Sequence, residues 1–250
     1  EREVSTLVPR PSSLLIHGYA SLWGVADLNG DVVARGAFAA SLAKTGTGGV
    51  RMLHQHEGRA VVGVWDHDAN RAAAFCASQG VEGSASVQAL LDRPEVDAVL
   101  IAAETSLHAD LVEQAAAAGK AIVLQKPIAL TLAESDRIVT AVKRHAVPFT
   151  LAWQMRTDPH NLQVRQLLAE GRFGRMFMAR RRHCLSTQLW KDFDQTWHVQ
   201  PQWNRDLFAD DAAHPIDFLY WLFGMPQSAL AEIGTLLNPK IPNDHGSAVF

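Results

Sequence analysis

Between residues 96 and 151 short apolar runs alternate with stretches of helical periodicity. Residues 96–102 (VDAVLIA) and 121–124 (AIVL) read as buried strands, because continuous apolar runs of this length suit strands covered on both faces. Residues 106–118 between them read as a helix stopped at Gly119. A further helix over 131–144 carries Leu132, Ile138, Val139 and Val142 at helical spacing, and residues 148–151 supply another strand. Upstream, residues 59–66 (RAVVGVWD) read as a strand ending in Asp66, with a helix over 70–78. Strands joined in parallel through helices make an α/β sheet.

The pattern changes near Trp153. A helix over 161–170 stops at Gly171, and residues 176–183 alternate as a strand. A connection rich in tryptophan (Trp190, Trp197, Trp203) follows, then a helix over 211–223 stopped by Gly224 and an apparent strand at 247–250. Before residue 59 the signals are a strand within 12–23, a turn at 27–31, a helix over 37–44 and a glycine-rich break at 46–49. The chain divides into a short α+β piece (1–58), a truncated Rossmann-like parallel sheet with helices (59–152), and an incomplete α+β domain with an antiparallel sheet (153–250). Below about 60 residues a lone core is marginal, so the first piece must pack against the rest to be stable.

Composition narrows the setting. With 250 residues and 48% hydrophobic content the chain can bury a sizeable core. A net charge of -3 gives no long-range pull on nucleic acid or anionic lipid, so neither partner is expected. The basic run Arg180 to Arg182 falls on the 176–183 strand and reads as an exposed sheet face. Cys76 and Cys184 are far apart and lack metal-ligand spacing. Cys76 reads as a small core residue, and reduced thiols fit a cytoplasmic location. Apolar runs are too short for a membrane span.

In parallel α/β sheets ligands bind beyond the carboxyl ends of the strands, where residues 103–108 and 125–127 both fall. Lys126, held beside Pro127 at such an end, is a candidate catalytic cation. Asp66, at the end of its own strand, can accept hydrogen bonds from ribose hydroxyls and repels a 2′-phosphate, which favours NAD over NADP.

Val99-Leu-Ile-Ala102, Ser106-Leu-His108, Gly119-Lys120, Gln125-Lys-Pro127 and Ala129-Leu-Thr-Leu-Ala133, with residues 208–224 (FADDAAHPIDFLYWLFG), resemble the Gfo/Idh/MocA family, relatives of glucose-fructose oxidoreductase and inositol dehydrogenase. The later block is similar to that family's Asp-x-Gly-x-His motif, with Ala212 where glycine is usual. The matching region runs from about Arg59 to Phe250. One part of the pattern is missing: a dinucleotide fold opens with a strand and a G-x-G-x-x-G turn, and this sequence contains no such turn. Residues 14–65 instead resemble the start of the phage prohead serine proteases, with Gly18-Tyr-Ala-Ser-Leu-Trp-Gly24 and Val50-Arg-Met-Leu-His-Gln-His56 carrying the likeness. The two patterns overlap between Glu57 and Trp65, as a fusion would produce.

The family resemblance implies hydride transfer between a nicotinamide cofactor and a sugar, cyclitol or other polyol. Oxidising a secondary alcohol needs a group that takes the hydroxyl proton and a cation that favours the developing alkoxide. His214 fits the first task because its ordinary pKa lies near working pH. Asp210, four residues earlier, would orient the imidazole if both share a helix, and Lys126 would contact the nicotinamide ribose and the substrate hydroxyl. The resemblance places Thr105 and His108 beside the cofactor, with Gln125 replacing the usual glutamate before Lys126. Arg156 and Trp203 are candidate substrate contacts. A lone histidine with Asp210 and Asp217 is a weak metal signature, and no metal is expected. The terminal apolar strand at an open sheet edge would favour self-association. Two alternatives stay open: a protease fragment in which His56 activates a serine, though no glycine-flanked serine segment follows, and a non-catalytic fusion product.

Overall fold

The computed structural model describes residues 61–186 and 190–250. The amino-terminal piece, with His56 and the elements expected before residue 59, lies outside the described residues.

Helix α1 (Ala69–Gln79) starts where the Asp68 carboxylate accepts hydrogen bonds from the backbone N–H groups of Asn70 and Arg71. Helix α2 (Val87–Leu91) is capped by Ser86. Strand β1 (Ala98–Ile101), helix α3 (His108–Ala117) and strand β2 (Ala121–Leu124) follow as expected, with a 3-10 turn at Thr105–Leu107 leading into α3. Gly119 closes α3 at φ 71, a left-handed conformation that a Cβ would strain. Helix α4 (Leu132–His145) opens with a reciprocal capping box between Thr131 and Glu134 and leads to β3 (Phe149–Leu151).

The three strands form a parallel sheet in the order β1-β2-β3. The central strand is buried along its whole length, with Leu124 at 0% exposure. Val112, Ala115 and Ala116 of α3 and Ile138 and Ala141 of α4 complete the core over it. Burial of each large aliphatic side chain here contributes about 1.5–3 kcal/mol. Only part of the expected α4 stripe faces this core. Ile138 is fully buried and Val142 packs on the cluster, whereas Leu132 and Val139 are exposed. At 100° per residue, position 139 is a quarter-turn away and position 132 lies well off that face.

Two expected strands are not strands in the structure. Residues 61–66 reduce to one parallel bridge, Val64 with Gly83, held by hydrogen bonds from Val64 N to Glu82 O and from Ser84 N to Val64 O. Residues 176–183 take no regular structure, and Phe177 and Met178 stand in solvent. A period-two pattern makes a strand only where a neighbour takes up its backbone groups, and among the described residues none pairs with this segment.

Past residue 153 the elements are α5 (Pro159–Ala169), α6 (Pro201–Asn204), α7 (Leu207–Asp211), α8 (Ala213–Phe223), β4 (Leu230–Gly234) and β5 (His245–Val249). Strands β4 and β5 pair antiparallel. The Asp244 carboxylate organises their connection by accepting from the backbone N–H groups of Leu236, Leu237 and Asn238. The helix expected over 211–223 is α8, which starts at Ala213 and is stopped by Gly224, and the short α7 before it ends at Asp211. Cys76 is half-buried on a helix with no fully buried residue, and so is not a core position. Among the described residues no helix is long and apolar enough to cross a membrane.

Candidate active site

Lys126 leaves the carboxyl end of β2, where the Gln125 side-chain oxygen accepts from the Lys126 backbone N–H at 3.0 Å and the Lys126–Pro127 bond is cis. Its Nζ donates to Asp210 Oδ1 at 2.6 Å and to the Asp210 backbone carbonyl at 3.3 Å. The second oxygen of Asp210 is taken by His198 Nδ1 at 3.0 Å. Burial alone would raise the Asp210 pKa, but the hydrogen bonds from His198 and Lys126 outweigh it and hold the carboxyl down at about 2. Asp210 is therefore an ionised bridge between Lys126 and His198.

That arrangement corrects the expected role of Asp210. It sits on α7 and His214 on α8, so the two do not share a continuous helical face, and the Asp210 oxygens turn to Lys126 and His198 instead of to the His214 ring. His214 is buried between the Trp153 ring, 6.0 Å away edge-on, and the His183 ring at 6.2 Å. Burial, with the positive charge of Lys126 and the neighbouring His183, pushes its pKa down to about 4, leaving the ring neutral at ordinary pH. The Gln154 amide nitrogen faces His214 Nε2 at 3.4 Å, which assigns the ring proton to Nδ1. Nδ1 is buried with no hydrogen-bond partner among the described residues.

A 3-10 turn at Gln154–Arg156 is fastened to α8 by an ion pair. Arg156 donates from Nε to Asp217 Oδ2 at 2.8 Å and from Nη2 to Asp217 Oδ1 at 2.5 Å. Its fork is committed to a carboxylate one turn from His214 on the same helix, so Arg156 positions the turn that carries Gln154 rather than reaching a substrate. His183 Nε2 lies 3.0 Å from Asp211 Oδ2.

The second part of the site is built on Asp66. Its Oδ1 accepts from the Asp68 backbone N–H at 2.8 Å and from Arg71 Nη2 at 3.0 Å. Burial opposes ionisation, but these bonds lower the Asp66 pKa on balance. Arg71 Nη2 also donates to Glu104 Oε1 at 3.3 Å and to His67 Nε2 at 3.2 Å. His67 stacks on Trp203, ring centroids 6.4 Å apart and planes within 8°. Trp203, the candidate substrate contact, thus stands with the Asp66 group.

Two residues expected to touch a cofactor have other work. Thr105 is buried and donates to Asn204 Oδ1 at 2.6 Å. His108 is 1% exposed, with Nδ1 3.0 Å from the Pro127 carbonyl and Nε2 3.1 Å from the Ala103 carbonyl. Burial lowers its pKa against the opposing effect of these carbonyls. His108 therefore pins the loop after β1 to the loop carrying Lys126. Ser106 Oγ beside it is buried and has no hydrogen-bond partner among the described residues.

The sequence reading missed His198, Gln154, Glu104 and Asn204. Glu104 lies within the 103–108 stretch already marked by its position after β1, and a carboxylate entering a buried loop could have drawn attention. His198 and Asn204 carried no signal, because their partners lie 12 and 99 residues away.

The chain is similar to known proteins over both of its described regions. The family profile described as "Oxidoreductase family, NAD-binding Rossmann fold" matches residues 42–152, reaching back past Arg59, and the GFO/IDH/MocA C-terminal domain matches residues 161–250. The Caudovirus prohead serine protease profile matches residues 5–74, overlapping the first match. The inositol 2-dehydrogenase of Rhizobium meliloti (strain 1021) is 33% identical over 161 residues, 64% of this chain and 47% of that protein. The 1,5-anhydro-D-fructose reductase of Ensifer adhaerens is 31% identical over 166 residues, 65% of this chain and 48% of that protein. The crystal structure of the WlbA dehydrogenase from Bordetella pertussis, in complex with NADH and UDP-GlcNAcA, superposes with a TM-score of 0.66 at 25% identity, covering 83% of this chain and 60% of that one. The chain spans half the length or less of the curated relatives it matches. With both of the family's domains matched in order along it, this chain belongs to the GFO/IDH/MocA family.

Proposed function

We propose that this chain is an NAD-dependent oxidoreductase acting on a hydroxyl carbon of a sugar, cyclitol or other polyol, with Lys126, Asp210 and His214 as its catalytic residues. The observation that carries the reading is the Lys126–Asp210 pair at 2.6 Å, which joins the end of a parallel strand to the helix pair that holds a buried, neutral imidazole.

The residues present fit a nicotinamide dinucleotide at both ends. Asp66 is an ionised acceptor just after the Val64–Gly83 bridge, and its contacts among the described residues fall on Oδ1, leaving Oδ2 for ribose hydroxyls. Ser106 Oγ and His214 Nδ1 are buried polar atoms without partners among the described residues. The bound cofactor would supply the hydride acceptor or donor. His214, carrying its lone pair on Nε2, takes the substrate hydroxyl proton there, displacing the weak Gln154 contact. The Lys126 ammonium stabilises the developing alkoxide, and Asp210, anchored by His198, keeps that ammonium aimed. Arg156, through Asp217, and His108, through the Pro127 carbonyl, act as positioning residues.

The polyol class rests on relatives named for inositol and anhydrofructose chemistry. A cytoplasmic setting fits the two free thiols, Cys76 and Cys184. Association of two copies through the carboxy-terminal sheet fits the exposed Leu230, Ile233 and Val249 on β4 and β5.

The test is a titration of the full chain with NADH, followed by tryptophan quenching, and an assay of NAD reduction against a panel of cyclitols and aldoses. Saturable binding, with turnover lost in Lys126→Ala, is the expected result. A folded sample that binds no NADH overturns the proposal and favours a non-catalytic fusion product.

A further inference from the structure

We propose that Glu104 sets cofactor selectivity at the ribose end of the site, by drawing Arg71, the cation of this cluster among the described residues, away from a 2′-phosphate. The inference rests on the reading of Asp66 as the ribose acceptor and adds a residue to it.

Arg71 is the one cation among the four polar side chains in contact here. Its Nη2 donates to Asp66 Oδ1 at 3.0 Å and to Glu104 Oε1 at 3.3 Å, so one nitrogen is shared by two carboxylates 38 residues apart in the chain. Nη2 also meets His67 Nε2 at 3.2 Å. His67 Nδ1 points between the same two carboxylates, 3.7 Å from Asp66 Oδ1 and 3.6 Å from Glu104 Oε2. Two carboxylates against one guanidinium weight the cluster toward negative charge.

Glu104 decides that balance. Asp66 and Arg71 alone would form a neutral pair, with the half-exposed guanidinium able to swing toward an incoming phosphate. Glu104 is 6% exposed and enters from the short link between β1 and the Thr105 turn, so its carboxylate cannot swing away into solvent. A 2′-phosphate, with about 1.5 to 2 negative charges, would meet this buried carboxylate and an arginine already engaged. A ribose 2′-hydroxyl needs only an acceptor, which Asp66 supplies. The stacked Trp203 and His67 rings close the cluster on one side.

The test is calorimetric titration of the full chain with NADH and with NADPH, for wild type, Glu104→Gln, and Glu104→Gln combined with Arg71→Met. Wild type should bind NADH more tightly. Glu104→Gln should shift the ratio of the two affinities toward NADPH on the order of tenfold, and Arg71→Met in that background should remove the gain. Should Glu104→Gln fail to fold, the wild type alone supplies a sign. Added salt screens repulsion, so the affinity for NADPH relative to NADH should rise with ionic strength, whereas an arginine that grips the phosphate would make it fall. An unchanged ratio in folded Glu104→Gln, or the opposite salt sign, overturns the inference while leaving the oxidoreductase reading intact. A wild type that binds neither dinucleotide removes both.

Discussion

Lys126 Nζ lies 2.6 Å from Asp210 Oδ1, and the two residues are 84 positions apart. The contact joins a lysine fixed by the parallel sheet to a carboxylate on a short helix of the following region, so the cation is aimed by both halves of the described structure.

Replacing either partner should be felt in chemistry before binding. Lys126→Ala is expected to lower kcat about a hundredfold to a thousandfold, the cost of losing one preorganised group at the developing charge, with little change in NADH affinity. Steady-state kinetics beside direct titration check this. A matched loss of NADH binding would make Lys126 a cofactor anchor instead.

Acid should destabilise the fold in two stages. His214 has an ordinary pKa of 6.5 and a folded value of about 4, so between those values the unfolded chain binds the additional proton and stability falls as pH falls. Asp210, at about 2 against an ordinary 3.8, adds a second loss below pH 3.8. Its contribution is fully present above 3.8. Urea midpoints measured across pH 7 to pH 4 should decline in wild type and decline less in His214→Gln. Parallel curves would show that the ring does not titrate as its burial implies.

The Arg156–Asp217 pair should matter for both stability and position. Arg156→Ala strands a carboxylate that is only 8% exposed, at a cost of about 2 kcal/mol once the partial exposure of Arg156 is allowed for. Because the same turn carries Gln154, kcat should fall as well. Arg156→Lys, which lacks the two-pronged fork, should recover only part of either effect. Chemical denaturation and kcat measured on the same samples separate a purely structural role from a positioning one.

Thr105→Val should destabilise the chain by about 1–3 kcal/mol, since it removes a buried donor and leaves the Asn204 oxygen without its partner. The double variant Thr105→Val with Asn204→Leu should cost less than the two single losses added together. Strict additivity would mean that the two groups do not interact in solution.

The core of the parallel sheet was legible because local signals agree with it. Continuous apolar runs mark β1 and β2, Gly119 marks the end of α3, and the Thr131–Glu134 box marks the start of α4. Residues 61–66 and 176–183 misled because alternation records a suitable surface and not the presence of a neighbour. Lys126, Asp210 and His214 were marked as site residues, but the contact between Lys126 and Asp210 and the partners His198 and Gln154 were not, since these contacts join separate elements of the fold. The same holds for Arg156, Thr105 and Trp203, whose contacts with Asp217, Asn204 and His67 span long stretches of chain.

Because one buried imidazole, His108, clasps the carbonyls that flank both strand-end loops, the floor beneath the lysine is fixed by groups that no substrate would touch. Change of substrate preference over evolutionary time would then fall to walls such as the segment that carries His183 beside the His214 ring, and spare the lysine's footing.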